Sequence, residues 1–455
     1  MGQIAVKAKG SVEGYWTNKS VLAFAGAEHP IEKIRQRART LVLEAIEKGW
    51  EGPPFDPFRL AELLRMEIVP SQEVFEARTV PSGSKFRIEY NPNRGLNRAR
   101  FSVAHEIAHT LFPDCADAIR NRLSYHGGQG DNWQLEMLCN IGAAEILMPV
   151  GSGLECPIRP NDFAGILDLR ERYKVSTEAL LLRMASLCGL SVFAASIDRQ
   201  DRPVINYVVS NSRKFVIRAG TALSSSSVLT QCTAIGFTAQ GVEKWPVVGP
   251  IHIQCVGIPP YPGHLKPRVL GILRNNESIE STFPQIDYVR GDATKPRGVG
   301  PKILTQIVND KALTWGGGLS LAVRRKWPAV QDEFTDWFKR ATGSRLGKVH
   351  FSRSANDVIV ASIVAQSGYG VSERPRIRYR ALEHGLSQVR QKAVEIGASV
   401  HMPRLGCGEA GGVWAIVGEL VEMNLVTHGI PVTVYDYPGK QSSDKQILIP
   451  GLFSN

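Results

Sequence analysis

One pentapeptide of the sequence has the residue types of a metal site: His105-Glu106-Ile107-Ala108-His109. Residues i and i+4 share one face of a helix, so both imidazoles can bind the same ion. Glu106 is close enough for its carboxylate to take a proton from a metal-bound water as that water attacks a carbonyl. The pattern predicts zinc-dependent hydrolysis, with His105 and His109 as ligands.

A chance match on an amphipathic helix is the alternative explanation of this pattern. Against it stands an apolar background in which two histidines and a glutamate have no solubility role, namely Phe101, Val103, Ala104, Ile107, Ala108 and Leu111. A third ligand is then expected from a neighbouring helix. The sequence offers four candidates for it, Glu136, Glu145, Asp114 and His126.

A second motif, G-x-G-x-x-G, occupies residues 406–411 between a predicted strand and a predicted helix. Backbone N–H groups of such a loop, together with a helix N-terminus, can bind a diphosphate. Asp436 stands near the place where a dinucleotide-binding fold has its ribose-binding acid. That fold carries the motif after its first strand, however, whereas here too little chain follows the motif to build the remaining strands.

The elements that must position these motifs fall into successive regions. We predict an irregular leader at 1–29 and a mainly helical domain with a small sheet at 30–190. Strands and helices alternate in 281–440, which predicts a three-layer α/β/α domain. A tail follows at 441–455. The fold class is therefore multidomain, α+β and α/β.

Residues 191–280 are predicted to be a β-rich connector. Gly, Pro, Ser and Asn separate short runs of strand-forming residues there. The runs are LSVFAASI, PVINYVV, KFVIRA, SVLTQCTAIGF and IHIQCVGI.

The composition narrows the class of protein. The chain has 455 residues, of which 43% are hydrophobic, so it can bury real cores. Its net charge of +11 favours anionic partners such as nucleotides. Seven cysteines without a C-x-x-C pair argue against a disulfide scaffold and favour a reducing cytoplasm. No run approaches 18 uninterrupted apolar residues, so we expect no membrane span.

Three stretches resemble the ImmA/IrrE family of metallopeptidases: ARFSVAHEIAHTLF, the segment Glu136–Pro149, and YKVSTEALLLRM. The resemblance covers about 30–190. It implies a zincin-like fold in which His105, His109 and Glu136 bind Zn²⁺ and Glu106 is the general base. It also implies cleavage of repressor-type regulatory proteins in phage, mobile-element or stress circuits.

Two positions depart from that family. Cys139 stands where the family usually has alanine, and Gly142 stands where it usually has phenylalanine. We interpret both as changes in packing that leave the ligands intact.

The region of about 284–438 resembles macro domains, the ADP-ribose-binding α/β modules. The motifs are YVRGDAT, ILTQIVN, WGGGLSLAVRRKWP, VAQSGYG, and SVHMPRLGCGEAGGVW through VTVYDYP. The resemblance implies that Asp292 holds the adenine amino group, and that two glycine loops enclose the distal ribose and the diphosphate. The implied ligand-binding residues are Asp292, Ala293, Asn309, Gly316, Gly317, Gly318, Gln366, Gly406, Cys407, Gly408, Glu409, Ala410 and Gly411.

Simpler roles exist for two of these features. Asp292 could cap an Asx-type turn after a strand, and Gly316–Gly318 could be a flexible loop. Hydrolytic macro domains with the MPRxGCG signature often use a lysine near VAQSG and an aspartate in the glycine loop. Here Ala365-Gln366 and Glu409-Ala410 occupy those places, which favours binding over hydrolysis by a lysine mechanism.

The sequence therefore predicts a cytoplasmic zinc endopeptidase that cleaves a regulatory protein and is linked to an ADP-ribose-sensing macro domain. An ADP-ribose-processing hydrolase with an accessory peptidase is the alternative, and a regulator that only binds is a third. The expected partners are a protein substrate and ADP-ribose or an ADP-ribosylated protein. We expect no membrane partner, and direct nucleic-acid binding is not required.

Overall fold

A computed structural model provides the structure of the chain. It describes residues 16–83, 85–115, 120–121, 131–152, 163–188, 190–210, 215, 217–232, 234–245, 249–260, 265–275, 285–311, 314–354, 358–370, 372 and 374–437. Two compact units divide the chain. Unit 1 contains 1–42, 50–149 and 154–281, and unit 2 contains 43–49, 150–153 and 282–455. Among the described helices, none is both long and apolar enough to cross a bilayer.

The first part of unit 1 combines helices with a four-stranded sheet. Its elements are α1 (Lys19–Ala25), α2 (Pro30–Glu47, of which residues 43–47 belong to unit 2), α3 (Pro57–Leu63), β1 (Glu67–Pro70), β2 (Ala77–Ser82), β3 (Lys85–Tyr90), α4 (Leu96–His109), β4 (Arg120–Asn121), α5 (Asn132–Leu147), α6 (Phe163–Tyr173) and α7 (Thr177–Cys188). The strand order is β1-β3-β2-β4. Only the β1–β3 pair is parallel among these described strands.

The leader is not irregular where it is described, because α1 occupies part of it. The Asn18 side chain accepts a hydrogen bond from the N–H of Val21 and caps the helix. Phe24 is buried, and its ring centroid lies 4.4 Å from that of Phe112. A side-chain cap and a buried aromatic contact therefore order a segment that the sequence prediction left without structure.

Small residues let α4 and α5 approach closely. A Cβ atom on Gly142 would lie only 2.8 Å from the Cβ of Ala108, so a larger residue would push the helices apart. The last turns of α4 are buried, including the polar side chains of His105, Glu106 and His109. This close crossing sets the distance between the polar groups that the two helices present to each other.

A five-stranded antiparallel sheet completes unit 1. Its strands are β5 (Ser191–Ile197), β6 (Pro203–Val209), β7 (Thr238–Lys244), β8 (Pro250–Ile258) and β9 (Arg268–Asn275), in the order β6-β5-β9-β8-β7. A 3₁₀ turn at Val228–Gln231 packs beside it. Phe193 and Trp245 meet in its core with ring centroids 5.1 Å apart.

In this region the strand prediction is wrong for two runs, and two strands of the structure were not predicted. KFVIRA forms no strand in its described residues, and SVLTQCTAIGF contains the 3₁₀ turn instead. Ser227 caps that turn by accepting the Leu229 N–H, and the Glu243 side chain also binds Ser227 through its hydroxyl. Strands β7 and β9 were not predicted; β7, with the sequence TAQGVEK, has few apolar residues.

Unit 2 contains a six-stranded sheet with the order β10-β15-β14-β11-β13-β12. All its pairs are parallel except β12–β13. Its elements are β10 (Asp287–Arg290), β11 (Lys302–Asn309), α8 (Gly318–Lys326), α9 (Pro328–Arg340), β12 (Val349–Arg353), β13 (Val358–Gln366), α10 (Tyr379–Ile396), β14 (Ser399–Met402), α11 (Trp414–Asn424) and β15 (Val432–Asp436).

Helices cover both faces of this sheet. On β13, Ile363 packs in one cluster with Leu386 of α10, while the alternating Val364 packs in another with Phe334 of α9. Successive side chains of a strand point to opposite faces, so the two clusters lie on opposite sides of the sheet. The mixed α/β organisation expected from the sequence is confirmed.

Candidate metal centre and ligand loops

The candidate metal centre lies where α4 faces α5. The Nε2 atoms of His105 and His109 are 3.2 Å apart. The Glu136 carboxylate lies beside both, with Oε2 3.0 Å from Nε2 of His105 and Oε1 3.5 Å from Nε2 of His109. Both histidines are buried, whereas the side chain of Glu136 keeps 14% of its exposure. The fold brings the three predicted ligands together.

These separations fit a tetrahedral zinc site. Two donor atoms that each lie 2.0–2.1 Å from a tetrahedral zinc are about 3.3 Å from each other. The three separations between the His105, His109 and Glu136 donor atoms, 3.0, 3.2 and 3.5 Å, lie on both sides of that value. Two imidazoles and one carboxylate would also leave a fourth position for water or substrate, as catalytic zinc sites do.

Neighbours on α5 hold the other ring nitrogen of each histidine. Nδ1 of His105 lies 2.9 Å from Oδ1 of Asn140, and Nδ1 of His109 lies 3.3 Å from Sγ of Cys139. Such partners fix the ring orientation and direct the Nε2 lone pair at the metal. Cys139 is also near enough to be a donor itself, but its contact is with Nδ1, so Glu136 fits the third ligand better. Cys139 therefore helps to orient the His109 ring, in addition to packing in the core.

The Glu106 carboxylate is fully buried and oriented by a strand. The Thr79 hydroxyl, on β2, lies 2.8 Å from Oε2 of Glu106 and 3.1 Å from the Glu106 carbonyl oxygen. Thr79 is itself buried. Sequence reasoning missed this residue because β2 was not predicted, and no local spacing links it to the H-E-x-x-H motif.

The other candidates for the third ligand are engaged elsewhere or not described. Glu145 forms a buried ion pair with Arg183 of α7. It is nine residues from Glu136, or about two and a half helical turns, which places it on the opposite face of α5. Asp114 accepts a hydrogen bond from the Ser20 hydroxyl. His126 lies outside the described residues.

Asp292 caps the turn that follows β10. Its Oδ1 accepts hydrogen bonds from the Thr294 N–H at 2.9 Å and from the Thr294 hydroxyl at 2.8 Å. The simpler role weighed for this residue, an Asx-type turn, is therefore present. Within the described part of the chain, Oδ2 accepts no hydrogen bond, so the carboxylate can serve a ligand as well. The next residue, Ala293, is buried.

Two glycine loops of unit 2 face each other. A Cβ atom on Gly317 would lie 2.6 Å from Oε1 of Glu409, so the Glu409 side chain reaches the Gly316–Gly318 loop. Gly317 is the N-cap of α8, and Gly318 has φ +56°. No atom of the described residues lies within 4 Å of a Cβ atom built on Gly316, Gly318 or Gly408. Backbone and helix N-terminus are thus open to a ligand.

The Gly406–Gly411 loop is held by its own backbone. Gly412 donates to the Gly406 carbonyl at 2.8 Å, and Gly411 donates to the Gly408 carbonyl at 3.0 Å. The Ala410 carbonyl accepts from two N–H groups of the 376–377 segment. No described acceptor binds the N–H groups of Gly408, Glu409 and Ala410, so the arrangement presents donors suited to a phosphate.

The buried side chain of Tyr379 forms a hydrogen bond with the backbone just after this loop. The hydroxyl of Tyr379 accepts the N–H of Val413 at 2.9 Å, just before α11 begins. Burial raises the pKa of Tyr379 to about 12, so its hydroxyl stays protonated at neutral pH. Cys407, in the loop, is half-buried, and its thiol points to the Leu405 carbonyl at 3.4 Å.

Asn309 and Gln366 lie at the ends of the paired strands β11 and β13, at a register shift between them. Oδ1 of Asn309 accepts the N–H of Lys311 at 2.9 Å. Nε2 of Gln366 donates to the Gly368 carbonyl at 2.9 Å. Both side chains therefore shape their own loops at the strand ends where parallel α/β sheets bind ligands.

Comparisons with known proteins identify two kinds of relative. The model of the Peptidase_M78 family, described as the IrrE N-terminal-like domain, matches residues 73–185. The radiation response metalloprotease IrrE of Deinococcus deserti is 33% identical over 119 residues, which is 26% of this chain and 38% of IrrE. The chromodomain-helicase-DNA-binding protein 1-like of Mus musculus is 32% identical over 181 residues, which is 37% of this chain and 19% of that protein.

A solved macrodomain protein from Streptomyces coelicolor is 40% identical, covering 33% of this chain and 99% of that structure, with a TM-score of 0.30. The chain spans only a fifth to two-fifths of the length of the curated relatives it matches. The chain therefore contains an IrrE-like metallopeptidase domain and a macro domain.

Proposed function

We propose that the chain is a zinc-dependent endopeptidase that cleaves a repressor-type regulatory protein in the cytoplasm, linked to a macro domain that binds ADP-ribose. One observation carries the peptidase half. The two Nε2 atoms and the Glu136 carboxylate converge within 3.0 to 3.5 Å of each other. The general base, Glu106, lies between the two histidines in sequence.

The residues around the centre have distinct roles in this proposal. His105, His109 and Glu136 would hold Zn²⁺, which acts as a Lewis acid toward water and the scissile carbonyl. Glu106 accepts the proton of the attacking water and returns it to the leaving amine. The Thr79 hydroxyl holds Oε2 of Glu106, which sets the orientation of the carboxylate.

The macro-domain half rests on the two glycine loops. The free N–H groups at Gly408–Ala410 and the N-terminus of α8 are suited to the diphosphate of ADP-ribose. Asp292 lies at the end of β10 with one oxygen available for a donor such as an adenine amino group. An ADP-ribosylated protein would present the same chemistry.

The class of protein substrate is proposed from the IrrE-like part of the chain. The resemblance to ImmA/IrrE peptidases implies cleavage of repressor-type regulators. The name of the Deinococcus relative describes a response to radiation, which supports a stress-related circuit here.

The test uses the full-length, zinc-loaded protein and a peptide library prepared from a bacterial proteome. Mass spectrometry would read new peptide ends. We expect specific cleavage by the wild type and by Glu62→Gln, a control that changes an exposed carboxylate on α3. Glu106→Gln should give no cleavage while it keeps its zinc. Equal cleavage by wild type and Glu106→Gln would refute the proposed mechanism.

A second function, hydrolysis of ADP-ribose linkages, gains support from Glu409. Its carboxylate reaches the Gly316–Gly318 loop. Release of ADP-ribose from a modified protein by wild type and Glu106→Gln, but not by Glu409→Gln, would establish this activity. No release by any of the three would leave the macro domain as a binding module.

A further inference from the structure

We infer that Cys232 and Cys255 form a reversible disulfide when the protein meets a peroxide. Their Sγ atoms lie 3.6 Å apart in the core of the five-stranded sheet. Both are free thiols. This modification site is independent of the peptidase and macro-domain functions proposed above.

The local backbone makes the approach of the two sulfurs specific. Cys255 lies within β8, while Cys232 follows the 3₁₀ turn at Val228–Gln231. The segment after Cys232 is tied to the same strand, because Gly236 donates to the Gly257 carbonyl and Gly257 donates to the Phe237 carbonyl, each at 2.8 Å. A disulfide therefore links two segments that already lie side by side.

Gly257 is what allows this close contact. A Cβ atom there would lie 2.1 Å from the Ala234 carbonyl oxygen and 3.3 Å from the Cys232 carbonyl oxygen. Any larger residue would push the Cys232 segment away from β8. The covalent bond needs an S–S distance of about 2.05 Å, so the sulfurs must close by about 1.5 Å. Cys232 is outside the strand ladder, so its backbone can supply that movement.

The two thiols are not equivalent. The two sulfurs share a hydrogen bond, and this contact lowers the pKa of Cys232 and raises that of Cys255. Cys232 is therefore the better nucleophile of the pair, since the thiolate is the reactive form. Both side chains are at most 1% exposed, so the oxidant must be as small as hydrogen peroxide.

The chemistry balances with hydrogen peroxide as the oxidant. The Cys232 sulfur attacks one peroxide oxygen, the O–O bond breaks, and the released hydroxide takes the thiol proton to form water. This leaves a sulfenic acid on Cys232. The Cys255 sulfur then attacks the Cys232 sulfur, the S–O bond breaks, and the second hydroxide leaves as water with the Cys255 proton. Two thiols and one peroxide become one disulfide and two waters.

The experiment exposes the full-length, zinc-loaded protein to hydrogen peroxide and then blocks remaining thiols with iodoacetamide in urea. Mass spectrometry of the peptides should find those of Cys232 and Cys255 joined, lighter by two hydrogen atoms than the two free peptides. Dithiothreitol should reverse the link. Cys407→Ser, which removes a half-buried thiol elsewhere, should leave the link unchanged.

Serine variants of Cys232 and Cys255 test which of the two thiols reacts first. Cys255→Ser should abolish the link and leave Cys232 as a sulfenic acid, which dimedone can trap when it is added together with urea, because unfolding exposes the buried sulfur. The same trapping in Cys232→Ser should be at least severalfold weaker at Cys255. Full alkylation of both thiols at a peroxide dose that oxidises Cys407, or linkage of Cys232 to a different cysteine, would overturn the proposal.

Discussion

Arg404 and Asp436 pair through two hydrogen bonds in unit 2. Nε of Arg404 lies 2.9 Å from Oδ1 of Asp436, and its terminal nitrogen lies 3.3 Å from Oδ2. Asp436 is the residue that a dinucleotide-binding fold would use for a ribose. A bidentate pair with arginine occupies both of its oxygens, and the G-x-G-x-x-G motif lies between these two residues in sequence. Asp436 is therefore not available to bind a ribose, which argues against a dinucleotide-binding site.

This pairing leads to a prediction about ligand choice. Calorimetry should show ADP-ribose binding in the micromolar range, or about −8 kcal/mol. Asp292→Ala should weaken binding by about 1–3 kcal/mol, since a hydrogen bond to a charged group is lost. Asp332→Ala, on α9, is a control that should bind normally. Equal affinity for NAD and ADP-ribose would contradict the assignment and favour a dinucleotide site.

Zinc content is the second quantity to measure. Wild type should carry about one zinc per chain by atomic emission. His109→Ala and Glu136→Ala should each lose it, because each removes one of three donors. Glu106→Gln should retain it, since Glu106 is proposed as the general base and not as a ligand.

A variant of Glu145, the other glutamate considered as third ligand, is the control for the zinc measurement. Its carboxylate pairs with Arg183 in a buried site, so Glu145→Gln should lower stability while leaving zinc in the folded fraction. Zinc retained by Glu136→Ala but lost from folded Glu145→Gln would move the third ligand to Glu145.

Local periodicity explains which parts of the site the sequence could predict. His105 and His109 meet because residues four apart share a helix face. Glu136 required the resemblance to a family, since nothing local distinguishes it from Glu145. Thr79 lies 27 residues from Glu106 on a strand whose register no pattern specifies. Contacts set by tertiary packing are therefore the ones that were missed.

In the β-rich part of unit 1, too, the features that depend on tertiary packing were not predicted from the sequence. Helices α2 and α10 were predicted because their apolar stripes repeat at helical spacing. In β7, exposed and half-buried residues alternate, so its sequence TAQGVEK carries little apolar signal. The 3.6 Å approach of Cys232 and Cys255 depends on how β8 packs against a turn, which no spacing in the sequence encodes.

Thr79→Val tests whether the threonine orients the base. The substitution keeps the shape of the side chain but removes the hydroxyl that binds Glu106. We expect cleavage to fall by about 10- to 100-fold, as for other residues that orient a metal site. Zinc content should stay at the wild-type level, and kcat should fall more than KM rises. An unchanged kcat would show that Glu106 needs no help from Thr79.

Gly406→Ala should damage the ligand loop. Gly406 has φ +68°, and a Cβ atom there would lie 2.5 Å from Cδ1 of Ile377 and 2.9 Å from Cδ1 of Ile307. We expect a loss of about 1–3 kcal/mol in stability from backbone strain and crowding, together with weaker ADP-ribose binding. Gly429→Ala is the matched control, because it has φ +76° but open space around the new atom. Equal losses in both variants would leave strain alone as the cause.

A buried histidine predicts how unit 2 responds to acid. Burial, with the positive charge of Lys302 as a second cause, lowers the pKa of His401 to about 4. Its Nδ1 lies 3.1 Å from the Tyr435 hydroxyl, and its Nε2 lies 2.9 Å from the Ser399 hydroxyl. Between pH 6.5 and 4 the unfolded state binds this proton and the folded state does not, so the folded state loses stability as the pH falls.

The expected loss is roughly 1–3 kcal/mol across that window, with no contribution from His401 above about pH 6.5. Urea unfolding followed by tryptophan fluorescence at pH 7.5 and pH 5 would measure it. His401→Gln cannot take up the proton, so its stability should fall less between the two pH values than that of the wild type. Every other titratable group is the same in both proteins, so its contribution to the pH dependence cancels in the comparison. Identical pH dependence in wild type and variant would show that His401 carries no such cost.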